Sequence, residues 1–308
     1  MEAARNLVEL RIRELSGARL RDFLTREGPL AVLSPAVERA AREGRSALER
    51  ELRDDRTRAR LAAFLARKTR EWVLRENPFL EIEPAHERVI EAVHAALLRD
   101  VGAALARGGE WEPIADALRA ALASHEARLG ALVAALLREA GEAPDDRERV
   151  AAEYSPELQL RVLGVRAEDL RAPVLDLGCG AKGALVHHLR AAGLAPVIGV
   201  DRNAPAGPGF FRESWFSADL ARHAWGAVIA HQSFSLHFLH AHVHSEVRAA
   251  RFAQRYLEIL HALAPHGRFL YAPALPFLEA VLPAEWVVTT RPIAGTDLLA
   301  ASVAKRAA

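Results

Sequence analysis

A short apolar segment that leads directly into a glycine-rich turn restricts the possible folds of this chain more than any other part of it. Val174–Leu177 is predicted to be a buried strand, and Gly178, Gly180 and Gly183 follow before a helical segment. Glycine lets the backbone turn sharply and approach a ligand closely, and a helix N-terminus offers unpaired N–H groups to an anion. Strand, glycine turn and helix in this order predict a parallel α/β sheet with a ligand site at the turn.

Two carboxylates near this turn narrow the choice of ligand. Asp176 stands two residues before Gly178, and Asp201 follows the next predicted strand, Val197–Val200. A dinucleotide site keeps its first turn free of acid because two phosphates lie over it, whereas a carboxylate there favours an ammonium group. Asp201 is placed to accept the hydroxyls of a ribose, and the Gly-Lys-Ser/Thr of a phosphate-binding P-loop does not follow the turn. The ligand is therefore expected to carry an amine and a ribose.

The two halves of the chain have different patterns. In the C-terminal half, short apolar runs alternate with helical stretches, which predicts a parallel sheet covered by helices on both faces. The last two runs, Trp286–Thr289 and Leu298–Val303, are too close for a crossover helix and predict an antiparallel hairpin. The N-terminal half is rich in Ala, Leu, Arg and Glu, with apolar residues every three or four positions, and predicts five or six helices. We therefore expect an all-α domain at residues 1–150 and an α/β domain at 151–308.

The amino-acid composition indicates the cellular compartment of the protein and the classes of partner that it can bind. A single cysteine, Cys179, excludes a disulfide framework and a Cys-rich zinc site, so a cytoplasmic protein is expected. Charged residues interrupt the first 20 positions, and no later run approaches the roughly 20 uncharged residues of a spanning helix, so no membrane contact is expected. The 41 basic and 40 acidic side chains give a net charge of +1, which argues against a broad surface for nucleic acid. The sequence does not indicate the oligomeric state.

Four segments in the C-terminal half together resemble the class I S-adenosylmethionine-dependent methyltransferases. In chain order they are Val174–Gly180, Gly199–Asp201, Ser217–Leu220 and Leu263–Leu270. The resemblance covers about residues 172–308, roughly half of the chain. It implies a Rossmann-like α/β sheet of seven strands with the final strand inserted antiparallel, and it implies S-adenosyl-L-methionine as the cofactor.

The resemblance also implies contacts to the cofactor at particular positions. Asp176 and the backbone of Gly178 and Gly180 would hold the methionine part, and Asp201 would hold the ribose hydroxyls. Further contacts to the cofactor are expected from Asp219 and Leu220 on the adenine, and from Cys179, Arg202 and His231.

Two positions depart from the family pattern. Lys182 stands where the family often has a third glycine, and Gly183 comes one residue later. Ala204–Gly209 is rich in proline and glycine and is too interrupted for the usual full helix, so we expect a loop on the adenine side.

Candidate catalytic and substrate-binding residues follow the predicted fourth and fifth strands. His231 comes directly after the fourth strand, near the expected methyl group, and Tyr271 ends the fifth; these are the predicted catalytic residues, with strand capping and core packing as the competing interpretations. The predicted substrate contacts are Gln232, Ser233, His237 and Tyr154. His237, His240 and His244 would share one helical face, but no carboxylate joins them before Glu246, so no metal site is expected.

The leading hypothesis is methyl transfer to an oxygen or nitrogen of a small molecule, with the helical domain shaping substrate access. A ribosomal RNA methyltransferase resembling the aminoglycoside-resistance group also joins a helical domain to this sheet. Against RNA, residues 2–149 carry 26 basic and 27 acidic side chains, and the basic stretch Arg53–Arg70 includes Asp54 and Asp55. Two further hypotheses are transfer or cyclisation of the aminocarboxypropyl arm, as in proteins resembling nicotianamine synthase, and a non-catalytic interaction protein.

Overall fold

The computed structural model describes residues 2–15, 17, 19, 20, 24, 33–142 and 154–306. The chain divides into two compact units, residues 1–151 and residues 152–308.

The described part of the N-terminal unit is helical. Its described helices are α1 (Glu2–Glu14), α2 (Pro35–Glu43), α3 (Arg45–Arg53), α4 (Asp55–Glu76), α5 (Pro84–Leu105) and α6 (Trp111–Glu139). Side-chain caps fix two of the starts, because Ser34 accepts a hydrogen bond from the amide of Val37, and Asp54 accepts one from the amide of Thr57. Buried leucine, valine and alanine side chains from these helices form the cores of the unit.

Helix α6 is long and apolar enough to cross a membrane by length and composition. The sequence does not lead us to expect this, because Glu126 and Arg128 interrupt its apolar residues. Along the helix, Ile114 and Leu118 pack in one apolar core of the unit, and Val133 and Leu137 pack in another. Helices in the cores of soluble proteins meet the same criterion, and the expectation of no membrane contact stays a prediction.

The C-terminal unit alternates strands and helices. Its strands are β1 (Val174–Leu177), β2 (Val197–Val200), β3 (Phe210–Phe211), β4 (Trp225–His231), β5 (Leu263–Ala272), β6 (Trp286–Pro292) and β7 (Leu299–Lys305). Its α-helices among the described residues are α7 (Pro156–Leu163), α8 (Ala184–Ala191), α9 (Phe234–His244), α10 (Glu246–His261) and α11 (Pro276–Glu279).

All seven strands form one mixed sheet in the order β3-β2-β1-β4-β5-β7-β6. Strands β1 to β5 run parallel, and β7 lies antiparallel between β5 and β6, which confirms the terminal hairpin that the sequence predicts. The sequence pattern misses β3, because a strand of two residues leaves no recognisable alternation. The architecture is α/β and is consistent with a Rossmann-like fold.

The two faces of the sheet carry different cores. One contains side chains of α9 and α10, including Phe234, Phe252 and Tyr256, packed on alternate residues of the strands. The other contains side chains of α7 and α8 packed on the residues between them, such as Val174 and Ile229. Because side chains alternate along each strand, neighbouring strand residues lie on opposite faces of the sheet, and residues two apart lie on the same face.

Phe252 lies at the centre of the first core, where its fully buried ring contacts those of Trp215, Phe216, Phe234 and Phe238. We expect Phe252→Ala to lower the free energy of unfolding by about 3 to 5 kcal/mol, because the substitution leaves a cavity. Leu257→Ala on the same helix is the matched control and should cost less, since Leu257 is 39% exposed. Urea unfolding followed by circular dichroism measures both, and equal losses would contradict this packing.

Candidate functional site

The turn after β1 follows a left-handed path at each of its glycines. Gly178, Gly180 and Gly183 have φ angles of 100°, 71° and 57°. The amide of Gly178 donates to the carbonyl of Val200 at 2.7 Å, which ties the turn to the end of β2. A Cβ added to Gly178 would lie 2.3 Å from Cβ of Ser233, so only glycine allows the turn to approach the segment after β4 this closely.

Asp201 connects this turn to the end of β2. Its Oδ2 accepts a hydrogen bond from the amide of Gly180 at 3.2 Å, and its Oδ1 accepts one from the amide of Asn203 at 2.7 Å. Each carboxylate oxygen has two lone pairs, so both oxygens can accept a further hydrogen bond from a ligand hydroxyl. The carboxylate is thus oriented before any ligand binds.

Asp176 is a buried carboxylate whose charge is not compensated. It is 3% exposed, and Oδ2 has no hydrogen-bond partner among the described residues. Burial, with the nearby charge of Asp201 as a second cause, raises the pKa of Asp176 to about 7. A cationic ligand group would stabilise the ionised carboxylate here.

The helix that follows the turn begins without a side-chain cap. Gly183 is the N-cap residue of α8, and because it has no side chain it makes no capping hydrogen bond to the first amide groups of the helix. The first amide groups of a helix can bind a carboxylate or phosphate. The turn therefore lies beside three groups that differ in chemistry: the uncapped start of α8, the buried carboxyl group of Asp176 and the hydrogen-bonded carboxylate of Asp201.

His231 lies on the same face of the sheet as Asp176. Asp176 is paired with Ile229 in β4, and His231 comes two residues later. The ring of His231 makes an edge contact with the ring of Tyr154, with centroids 5.2 Å apart. Burial lowers the pKa of His231 to about 4, so its imidazole is neutral at pH 7. The structure thus brings together His231 and Tyr154, two site residues that the sequence predicts independently of each other.

The two residues after His231 have different environments. Gln232 adopts a φ of 52°, which is unusual for a residue other than glycine. Its backbone N–H donates a hydrogen bond to the carbonyl of Ala272 at 2.8 Å. The hydroxyl of Ser233 is buried and donates to the carbonyl of Leu177 at 2.7 Å. Ser233 therefore holds β1 to the segment after β4, and its hydroxyl proton is not available to a substrate.

Tyr271 does not lie beside His231. Its ring is fully buried in the core on the opposite face of the sheet. Its hydroxyl donates to Oε1 of Glu279 at 2.7 Å and lies 2.9 Å from the hydroxyl of Tyr256. Burial raises the pKa of Tyr271 well above its ordinary value. Tyr271 therefore packs in the core, which is the competing interpretation of this residue from the sequence.

His237 is also a core residue. It is 7% exposed, and its ring contacts the ring of Trp215 edge-on at 4.7 Å. Burial lowers the pKa of His237 well below its ordinary value, so the ring is neutral. Among the described residues no group of three or more His, Cys, Asp or Glu side chains could hold a metal ion.

The residues expected near an adenine lie beyond β3. Asp219 accepts a hydrogen bond from the amide of Ala221 at 3.1 Å, and the side chain of Leu220 is buried in the core. Residues 204–209 form turns rather than a helix, which confirms the loop predicted there. Arg202 is half-buried in the turn directly after Asp201.

Two glycines, one in the turn and one in β2, pack closely against other side chains, the first against an aromatic ring and the second against a sulfur atom. A Cβ added to Gly183 would lie 2.3 Å from the ring of Phe210, and one added to Gly199 would lie 2.9 Å from Sγ of Cys179. Cys179 thus packs inside the turn. Phe210 is not among the residues predicted from the sequence, although it begins an aromatic pair directly after a Gly-Pro-Gly segment.

No protein-family model, curated protein or solved structure matches this chain.

The raised pKa of Asp176 predicts how stability depends on pH. The unfolded aspartate loses its proton near pH 4, whereas the folded one keeps it to about pH 7, so stability falls as the pH rises between these values. Asp176→Asn removes this penalty and should stabilise the protein at pH 8 by up to about 4 kcal/mol. The gain should be smaller at pH 5.

Urea unfolding at both pH values measures this difference. Asp297→Asn, in the connection between β6 and β7, is the control, because Asp297 is exposed. A gain from Asp176→Asn that is equal at pH 5 and pH 8 would show that the carboxylate of Asp176 is not destabilised by burial.

Proposed function

We propose that residues 152–308 bind S-adenosyl-L-methionine and transfer its methyl group to an oxygen or nitrogen of a small molecule. The observation that carries this proposal is the buried Asp176, whose Oδ2 has no partner among the described residues and which lies two residues before the first glycine of the turn. A cation would stabilise the ionised form of this carboxyl group, and the amino group of S-adenosyl-L-methionine would provide one.

The other groups of the site match the remaining polar parts of the cofactor. Asp201 would accept hydrogen bonds from the two ribose hydroxyls while keeping its own bonds to Gly180 and Asn203. The uncapped start of α8 would face the amino-acid carboxylate. The seven-stranded sheet with β7 inserted antiparallel supports the proposal, because the sequence resemblance implies this arrangement.

When bound, the cofactor supplies a methyl group already activated by the sulfonium. The protein then has to align an acceptor with that methyl group and to exclude water. His231 is half-buried and neutral, so its imidazole would accept a hydrogen bond from the hydroxyl or amine of the acceptor. Its low pKa makes His231 a weak base. We therefore propose that it orients the acceptor molecule and does not act as the general base that removes the acceptor's proton.

Measuring the affinity for S-adenosyl-L-methionine tests whether the C-terminal unit binds this cofactor through Asp201. Asp201→Ala should weaken S-adenosyl-L-methionine binding at least tenfold, because hydrogen bonds to a charged group contribute about 1.5 to 3 kcal/mol. Asp297→Ala is the control and should bind as the wild type does, since Asp297 is an exposed residue of the β6–β7 connection. Isothermal titration calorimetry measures both. Equal affinity in all three proteins would remove Asp201 from the site, and tight binding of NAD instead would favour a dinucleotide site.

Proton release on cofactor binding tests separately whether Asp176 contacts the amino group of the cofactor. At pH 6.5 Asp176 is largely protonated, and binding of an ammonium group should ionise it. Titrations in two buffers of different ionisation enthalpy should therefore show release of up to about three quarters of a proton. Asp176→Asn should abolish this release. Release that persists in Asp176→Asn would assign the proton to another group.

The reaction product distinguishes methyl transfer from transfer of the aminocarboxypropyl arm. Methyl transfer leaves S-adenosylhomocysteine, whereas loss of the arm leaves methylthioadenosine. We expect S-adenosylhomocysteine to accumulate when the protein is incubated with cofactor and a small-molecule extract, and Asp201→Ala to slow its formation. Mass spectrometry measures both products, and methylthioadenosine formed at an enzyme-dependent rate would refute methyl transfer while leaving cofactor binding intact.

A further inference from the structure

The N-terminal unit contains a cavity of about 420 Å³ among its helices. Leucine, valine and alanine side chains from α1 to α6 line most of it, so its wall is mainly apolar. Cavities of 300 to 1,000 Å³ are typical of small-molecule sites, and an apolar cavity of about 150 Å³ already holds benzene. This cavity therefore has room for an apolar body of about ten carbon atoms.

A short chain of polar side chains interrupts this apolar wall. Oγ1 of Thr69 on α4 lies 2.8 Å from Nε2 of His94 on α5, and Nδ1 of His94 lies 3.0 Å from Nε2 of His125 on α6. All three residues line the cavity. Among the described residues no hydrogen bond engages Nδ1 of His125. The polar chain thus ends on a ring nitrogen beside the cavity.

The charges around the cavity favour a neutral ligand. Burial lowers the pKa of His94 to about 3 and that of His125 to about 4, so both rings are neutral at pH 7. Three cationic side chains of the lining lie in ion pairs, with N–O distances of 3.3 Å for Arg11–Glu14, 2.7 Å for Lys68–Glu71 and 3.8 Å for Arg75–Glu76. The lining carboxylates Glu71 and Glu126 are engaged as well, and Arg128, whose charge also acts on His125, is exposed to solvent. A charged ligand would therefore lose its hydration without meeting an unpaired countercharge in the cavity lining.

The hydrogen-bond directions favour a hydroxyl group on the ligand. If Thr69 donates to His94 and His94 donates to His125, then Nδ1 of His125 carries a proton and is a donor. If the chain runs the other way, Nδ1 of His125 is an acceptor. A hydroxyl group both donates and accepts, so it fits either direction, whereas a ketone or an ether fits only one.

The structure assigns this cavity as a binding site for a neutral, largely apolar alcohol whose hydroxyl group bonds to Nδ1 of His125. The apolar part of the ligand lies among the leucine and valine side chains of the helices. The site belongs to the N-terminal unit and does not depend on the function proposed for residues 152–308.

Titration of the full chain with 1-octanol at pH 7.5 tests this site. We expect saturable binding of one molecule, measured by calorimetry and by the fluorescence of Trp72, which lines the cavity. Leu97→Trp fills the cavity and should weaken binding at least tenfold. Leu132→Trp is the matched control, because Leu132 is a half-buried leucine of α6 outside the cavity lining, and it should bind as the wild type does.

Two further measurements test the polar end of the site. Octanoate should bind at least tenfold more weakly than 1-octanol, since its carboxylate would lose its hydration while every cationic side chain of the cavity lining is already in an ion pair. His125→Phe keeps a ring but removes the hydrogen bond, and it should weaken 1-octanol binding about fivefold.

Three results would overturn the assignment. They are the absence of saturable 1-octanol binding to the wild type, unchanged binding in a folded Leu97→Trp protein, and octanoate binding as tight as that of 1-octanol. Wild-type binding decides the question even if one of the variants does not fold.

Discussion

The buried carboxylate of Asp176 imposes a constraint that the rest of the C-terminal unit has to accommodate. Its Oδ2 has no partner among the described residues, and the charge of Asp201 acts against its ionisation. Such a group lowers the stability of the free protein above pH 4, so the cores on the two faces of the sheet have to offset its cost. A position that opposes folding and favours a cationic ligand is typical of a binding site.

The glycine turn is fixed by contacts with its neighbours as much as by its own flexibility. Gly178 lies against Ser233, Gly183 lies against Phe210, and Gly180 donates its amide to Asp201. Three parts of the chain that are distant in sequence therefore hold the turn in one conformation. A turn restrained in this way is already oriented before a ligand arrives, which reduces the entropic cost of binding.

The two faces of the sheet divide the polar residues by role. His231 shares a face with Asp176, is half-buried and contacts Tyr154, whereas Tyr271 is enclosed in the opposite core with Tyr256 and Glu279. The N-terminal unit shows a related contrast between an apolar wall and a few polar groups, because Thr69, His94 and His125 form one short polar chain beside its cavity. In both units the proposed ligand chemistry follows from a few buried polar groups rather than from the apolar majority.

Local features of the sequence determine the strand, glycine turn and helix at residues 174–191 and the positions of Asp176 and Asp201, because these depend on short-range geometry and alternation. The terminal hairpin follows in the same way from the short connection between its strands. Only the tertiary structure decides that Tyr271 lies on the face opposite His231, because strand alternation gives the relative but not the absolute facing of a side chain. The contact of Tyr154 with His231 and the cavity beside His125 arise from packing between segments far apart in the chain, which no local pattern encodes.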